Sequence, residues 1–124
     1  MRLLLDTHVL IWWARAERLA GAAREALADT SNDVVVSAAS IWEAEIKVAA
    51  GRLRLGRNLA RESEVHGFQQ LPITFAHVGR AGSLPMHHGD QFDRMLVAQA
   101  QLEGLTIVSR DPVFDRYSVA VLRA

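Results

Sequence analysis

The chain contains no cysteine, three prolines, one lysine and one tyrosine in 124 residues. Without cysteine, disulfides, thiolate zinc sites and cysteine nucleophiles are excluded, and a reducing compartment is a natural home. No run approaches the ~18 apolar residues that a membrane helix needs. The start, Met1-Arg2-Leu3-Leu4-Leu5-Asp6, has three apolar residues before an acid, so no signal peptide is expected and the expected location is cytoplasmic. Charge of one sign is missing too. Fourteen basic residues balance fourteen acidic ones, so net charge gives no reason to invoke nucleic acid. A Gly-x-Ser-x-Gly elbow, a Walker loop and a Gly-x-Gly-x-x-Gly fingerprint are all absent, which removes three common catalytic and nucleotide-binding designs.

What remains is a chain that is 50% apolar and 23% charged, the balance of a globular protein. Its length suits one domain, expected over 1–124, with a real core. Short apolar runs alternate with helical segments. Arg2–Leu5 reads as a buried strand, followed by helices over Thr7–Ala14 and Ala20–Ala28. Asn32-Asp33 turns into a β-branched run, Val34–Ser37. Ser37 or Ser40 can cap the next helix, which ends at Gly51. A basic stretch, Arg52–Arg61, leads into a helix ending near Gly67. Leu71–Thr74 is a third strand candidate, and a short helix over Phe75–Gly82 follows. Asp90–Glu103 is a helix stopped by Gly104, with Phe92, Met95, Leu96 and Leu102 as its core-facing stripe. Thr106–Ser109 and Val119–Leu122 complete the strands. The alternation predicts an α/β fold with a central, mostly parallel sheet of four to five strands flanked by helices.

Acids recur at one edge of that architecture. Asp6 follows the first strand, Glu43 lies in the helix after the second, Asp93 stands at the head of a later helix, and Asp111 follows the fourth strand. Each has an ordinary explanation. Asp6 is a good N-cap, although Thr7 could take that role. Glu43 has the favourable i, i+4 order with Lys47. Asp90 and Asp93 complement the dipole of the helix they open. Asp111-Pro112 reads as a turn. None of these explains their joint placement. Ligands bind outside the carboxyl ends of parallel strands, and carboxylates gathered there repel unless protonated or compensated by a cation. Oxygen-only donors point to Mg²⁺ or Mn²⁺ rather than zinc, and such a site suits displacement at phosphorus. A phosphatase would want Asp-x-Asp where this chain has Asp6-Thr7-His8. A receiver domain would want a lysine after a late strand, and the one lysine, Lys47, lies in a helix.

The same segments resemble the PIN-domain ribonucleases, in particular VapC-type toxins of toxin–antitoxin pairs. Leu3-Leu4-Leu5-Asp6-Thr7-His8 is similar to the opening motif, and Ser37 to Glu43 with Lys47 to the second. Asp90-Gln91-Phe92-Asp93-Arg94-Met95-Leu96-Val97-Ala98-Gln99-Ala100 is the most specific match, and Val108-Ser109-Arg110-Asp111-Pro112 followed by Phe114 resembles the fourth. Gln91 departs from the proline usual in this branch. The resemblance implies a PIN-like fold and an Mg²⁺-dependent (or Mn²⁺-dependent) endoribonuclease. It implies Asp6, Glu43, Asp93 and Asp111 as catalytic residues, with Asp6 and Asp93 as the principal metal ligands. Glu43 and Asp111 would complete the pocket or orient water, and Asp90 would touch a second metal or its water. It further implies a VapB-type antitoxin that silences the enzyme, a homodimer, and a heterotetramer or larger assembly with the antitoxin, with no membrane involved. A catalytically idle PIN-like module that only binds a partner is the non-enzymatic alternative. Arg94 and Arg110 either steady substrate phosphate or balance charge. His8 is expected to pack beside the first strand end, and His87 and His88 either touch substrate or form a polar loop. Trp12 and Trp13 suit core or interface, while Arg52, Arg54, Arg57 and Arg61 would meet RNA, antitoxin or water.

Overall fold

A computed structural model describes residues 1–17 and 19–124. Five strands form one sheet, β1 (Arg2–Leu5), β2 (Asp33–Ser37), β3 (Gln69–Leu71), β4 (Thr106–Ser109) and β5 (Val121–Arg123), in the order β3-β2-β1-β4-β5. Every pairing is parallel. The helices are α1 (Thr7–Ala14), α2 (Gly21–Ala28), α3 (Ala38–Ala49), α4 (Leu59–Val65), α5 (Phe75–Ser83) and α6 (Gln91–Glu103), with a 3-10 helix at Pro112–Arg116 before β5.

Strand alternation divides the core in two. Leu3, Leu5, Val34, Val36 and Val108 point to one face, where Val9, Leu10, Ala23, Leu27, Ala44 and Leu59 from α1 to α4 cover them. Leu4, Val35 and Ile107 point to the other, beneath Leu96, Val97 and Ala100 of α6 and Phe114 of the 3-10 helix. Because both faces are covered, β1 and β2 read as continuous apolar runs rather than alternating ones.

Local chemistry sets the helix boundaries. Ser37, not Ser40, caps α3: its hydroxyl accepts from the Ala39 amide at 3.0 Å, whereas Ser40 Oγ donates to the Leu5 carbonyl at 3.4 Å. Asn58 caps α4. Thr74 caps α5 in a reciprocal box whose return arm is His77 Nδ1, accepting from the Thr74 amide at 3.1 Å. Gly104, at φ +66°, ends α6 in the left-handed region that glycine adopts without a Cβ penalty.

Two expectations need correction. The third strand is Gln69–Leu71 rather than Leu71–Thr74, because Pro72 has no amide to extend the ladder. The buried residues of α6 are Arg94, Leu96, Val97, Ala98, Gln99 and Ala100. Phe92 and Met95 are half-buried and Leu102 is exposed, so only Leu96 of the expected stripe is fully inside. The polar residues Arg94 and Gln99 are tolerated there because neighbouring carbonyls take their protons. On α3, the apolar residues Trp42, Ile46 and Val48 face solvent, while small or polar Ala39, Ser40, Glu43 and Ala44 turn inward. Among the described residues, no helix is long and apolar enough to cross a membrane.

Candidate metal centre

Asp6 directly follows β1, and its amide continues the ladder by donating to the Val108 carbonyl at 3.0 Å. It occupies the N-cap position of α1, yet its side chain makes no capping hydrogen bond. Thr7 does not replace it, since it is the first helical residue and its Oγ1 is buried without a partner. The Asp6 carboxylate instead accepts from Ser109 Oγ at 2.7 Å, and that hydroxyl accepts from the Asp111 amide at 3.0 Å. The Ser109 proton is thereby aimed at Asp6. One serine at the end of β4 joins two of the acids, a role that the sequence reading did not assign.

The other acids approach from separate elements. Glu43 is buried on the inner face of α3 and pairs with Lys47 Nζ at 3.1 Å, as its spacing predicts. Asp93 lies in the first turn of α6, and its Oδ2 stands 3.2 Å from His88 Nε2. Asp90 caps α6, its Oδ1 accepting from the amides of Phe92 and Asp93 at 2.9 and 3.0 Å. Asp111 is exposed, and its Oδ1 accepts from the Val113 amide at 2.9 Å, which is turn chemistry. Trp42 of α3 meets Phe92 of α6 edge to face at 5.2 Å, fastening together the two helices that carry Glu43 and Asp93.

Electrostatics show that the acids feel one another. Burial, followed by the charges of Asp90, Asp6, Glu43 and Asp111, pushes the Asp93 carboxyl up to about 8. Burial also lifts the Asp6 carboxyl above its usual range. The Ser109 hydrogen bond and His8 oppose that rise, and the charge of Glu43 adds to it. The two arginines beside the acids in sequence do not both turn toward them. Arg94 is buried and spends its guanidinium on the carbonyls of Ala81, Leu84 and Pro85 and on the Tyr117 hydroxyl, so it neither steadies phosphate nor balances these acids. Arg110 lies 4.3 Å over the Trp12 ring and donates to the Ala124 carbonyl at 3.1 Å. With Asp6, His8, Trp12 and Asp111 it lines a shallow cavity of about 290 Å³. His8 is exposed, with its ring 6.0 Å from Trp12. Trp12 and Trp13 are half-buried against the first core. A larger apolar cavity of about 510 Å³, walled by Val36, Ile41, Trp42 and Leu71, contains none of the acids, and size alone does not make it the site.

Among the described residues, no three carboxylate or imidazole groups close on a single point as ligands to one ion. Asp6, Asp93 and Glu43 each rest on a partner of their own, Ser109, His88 and Lys47. The donor set still fits a divalent cation. The acids offer hard oxygens, and burial together with the charges of the neighbouring acids raises the Asp93 carboxyl.

A match to the PIN domain family spans residues 3–120. The chain belongs to the PIN domain family. No curated protein matches it in sequence. Solved PIN-type structures share the fold at low identity. VapBC2 from Rickettsia felis, bound to a DNA fragment from its promoter, superposes with a TM-score of 0.72 at 14% identity, covering 99% of this chain and 98% of that one. DNA-bound VapBC from Salmonella typhimurium gives 0.71 at 20% identity, with 99% and 98% covered. A toxin–antitoxin complex from Klebsiella pneumoniae gives 0.67 at 23% identity, with 97% and 95% covered. The five-stranded parallel sheet and its flanking helices are therefore those of a PIN domain.

Proposed function

We propose that this PIN domain is an Mg²⁺- or Mn²⁺-dependent endoribonuclease acting as the toxin of a VapBC-type pair. The observation that carries the proposal is the gathering of Asp6, Glu43 and Asp93 from β1, α3 and α6, with burial and the charges of Asp90, Asp6, Glu43 and Asp111 raising the Asp93 carboxyl. Such a cluster is costly to a fold that has no use for it. PIN domains are a nuclease family that generally works with divalent metals, and the structural likeness to toxin–antitoxin complexes supports the toxin assignment.

Asp6 and Asp93 would be the principal metal ligands, with Glu43 and Asp111 completing the pocket or orienting the attacking water. Asp90 contributes charge and caps the helix on which Asp93 stands. When bound, the divalent ion supplies Lewis-acid stabilisation for the negative charge that grows on the phosphodiester. The chain's own residues supply the rest. The β1–β4 ladder fixes the position of Asp6, Ser109 orients its carboxylate, and Lys47 holds Glu43 until substrate and metal arrive. A cationic side chain from an antitoxin would neutralise the same carboxylates and so silence the site, in an assembly built on a homodimer of this chain.

The test is incubation of purified protein with single-stranded and structured RNAs in Mg²⁺, Mn²⁺ or EDTA. Cleavage that requires metal and disappears in Asp6→Asn and Asp93→Asn supports the ribonuclease. RNA or protein binding without cleavage in any metal would instead identify a binding module.

A further inference from the structure

The loop before α6 carries a histidine whose hydrogen bonds run in one direction, from a buried cation to a site acid. Arg94 is 8% exposed, and a guanidinium can only donate. Its donation to the Tyr117 oxygen at 3.3 Å, beside three backbone carbonyls, leaves the phenol proton to point elsewhere. His88 Nδ1, 2.8 Å from the phenol oxygen, is the acceptor within its reach. With Nδ1 accepting, the proton of the neutral ring sits on Nε2, 3.2 Å from Asp93 Oδ2.

From this chain of contacts we infer that His88 is a positioning residue for Asp93: it holds one carboxylate oxygen and leaves the other to face the remaining acids. The inference rests on the ribonuclease reading, because it assigns His88 to that site. Three further observations support it. Tyr117 is 6% exposed and belongs to the second core, so the histidine is braced from the protein interior. The Tyr117 ring meets His87 at 4.9 Å and His88 at 5.6 Å, both edge-on, which fixes the ring planes as well as the hydrogen bonds. The His88 and Asp93 side chains are 20% and 16% exposed, so water competes weakly for their contact. Arg94 in turn ties down the carbonyls of Ala81, Leu84 and Pro85, the segment leading to His88. A hydrogen-bonded partner of this kind limits the rotamers open to a metal-binding carboxylate, and its loss weakens metal affinity roughly 10–100-fold in other metal sites.

The test measures Mn²⁺ affinity by the loss of the free-ion electron paramagnetic resonance signal, with RNA cleavage and metal-free melting temperature recorded on the same samples. The His88→Ala protein is expected to bind Mn²⁺ about 10–100-fold more weakly. His88→Gln keeps an N–H donor near the place of Nε2 and is expected to recover most of that loss. Tyr117→Phe, which frees Nδ1 while keeping the ring, is expected to lose a few-fold. Unchanged Mn²⁺ affinity in folded His88→Ala overturns the positioning role, as does failure of folded His88→Gln to recover. Should His88→Ala not fold, the Gln and Phe variants decide the matter by the same readout. Wild-type protein that binds Mn²⁺ but cleaves no RNA defeats the ribonuclease reading alone. Wild-type protein that cleaves, with affinity indifferent to His88, defeats the positioning role alone.

Discussion

Helix α6 ends in the same chemical pair twice. At its C-terminal end Glu103 accepts from His77 Nε2 at 2.9 Å; at its head Asp93 faces His88 Nε2 at 3.2 Å. In both, Nδ1 is also engaged: that of His77 accepts from the Thr74 amide, and that of His88 shares a hydrogen bond with the Tyr117 hydroxyl. Their surroundings differ. His77 is 1% exposed and its acid 40% exposed, so the buried partner is the ring, and the contact fastens α5 to α6. In the other pair the acid is slightly the more buried member, and the charges of four further acids act on it. On the proposed function, one pair serves the fold and the other the site. The difference lies in which partner is withdrawn from water and what charges surround it, not in the hydrogen bond itself.

Several variants would break or sharpen this contrast. The largest effect is expected from Asp93→Asn or Asp6→Asn. Each abolishes metal-dependent RNA cleavage while leaving the metal-free melting temperature unchanged or higher, because the amide escapes the cost of burying an ionisable carboxyl beside like charges. A large fall in melting temperature, with cleavage lost only in proportion to folded protein, would move Asp93 to the structural class of Glu103. Next in size is His77→Ala, which removes a buried ring and one arm of a capping box. It is expected to cost about 1–3 kcal/mol in urea unfolding with cleavage per folded molecule unchanged. Reduced cleavage at full folding would show that the two ends of α6 are not independent.

Acidity separates the pairs more gently. The folded Asp93 carboxyl lies near 8, against 3.8 for an unperturbed carboxyl, so between these values the folded state holds a proton that the unfolded state has released. The contribution of Asp93 to metal-free stability is therefore greatest below about pH 4, declines as pH rises toward about 8 and then levels off. Asp6, raised in the same direction, adds to the decline. Urea midpoints from pH 4 to 9 in EDTA are expected to fall more steeply for wild type than for Asp93→Asn, and parallel curves would remove the shift as a property of this acid. The smallest effect belongs to Lys47→Met. Losing the 3.1 Å pair leaves the buried Glu43 carboxylate without its cation, which lowers metal-free stability but frees Glu43, so Mn²⁺ affinity is expected to rise a few-fold. An affinity that falls would make Lys47 part of the binding arrangement itself.

Much of this was legible in the chain, for reasons that separate cleanly. The strands of the interior announced themselves because burial on both faces demands unbroken runs such as Val34-Val35-Val36. The edge strand did not, since Gln69-Gln70 needs no apolar pattern at a sheet margin, and the nearest apolar run is the one interrupted by Pro72. The 3-10 helix at Pro112–Arg116 was hidden inside what reads as an Asp-Pro turn. Acids at strand ends could be placed because topology alone carries them to one edge. Their partners could not: Ser109 reaches Asp6 across 103 positions and Tyr117 reaches His88 across 29, contacts that no local spacing encodes. Arg94 misled for a geometric reason. Consecutive helical residues point about 100° apart, so the neighbour of an acid in sequence belongs to another face of the helix.

The amide of Asp6 is a rung of the central sheet, bonded to Val108 between two covered layers. Its deuterium uptake is therefore expected to be among the slowest in the molecule, released only when the whole domain opens. Wear at the rim, such as fraying of the Asp111 turn or of the segment before α6, can come and go without displacing this carboxylate. An inhibitor or partner that works by loosening the rim would leave the anchor standing, and recovery would need only the reclosing of loops.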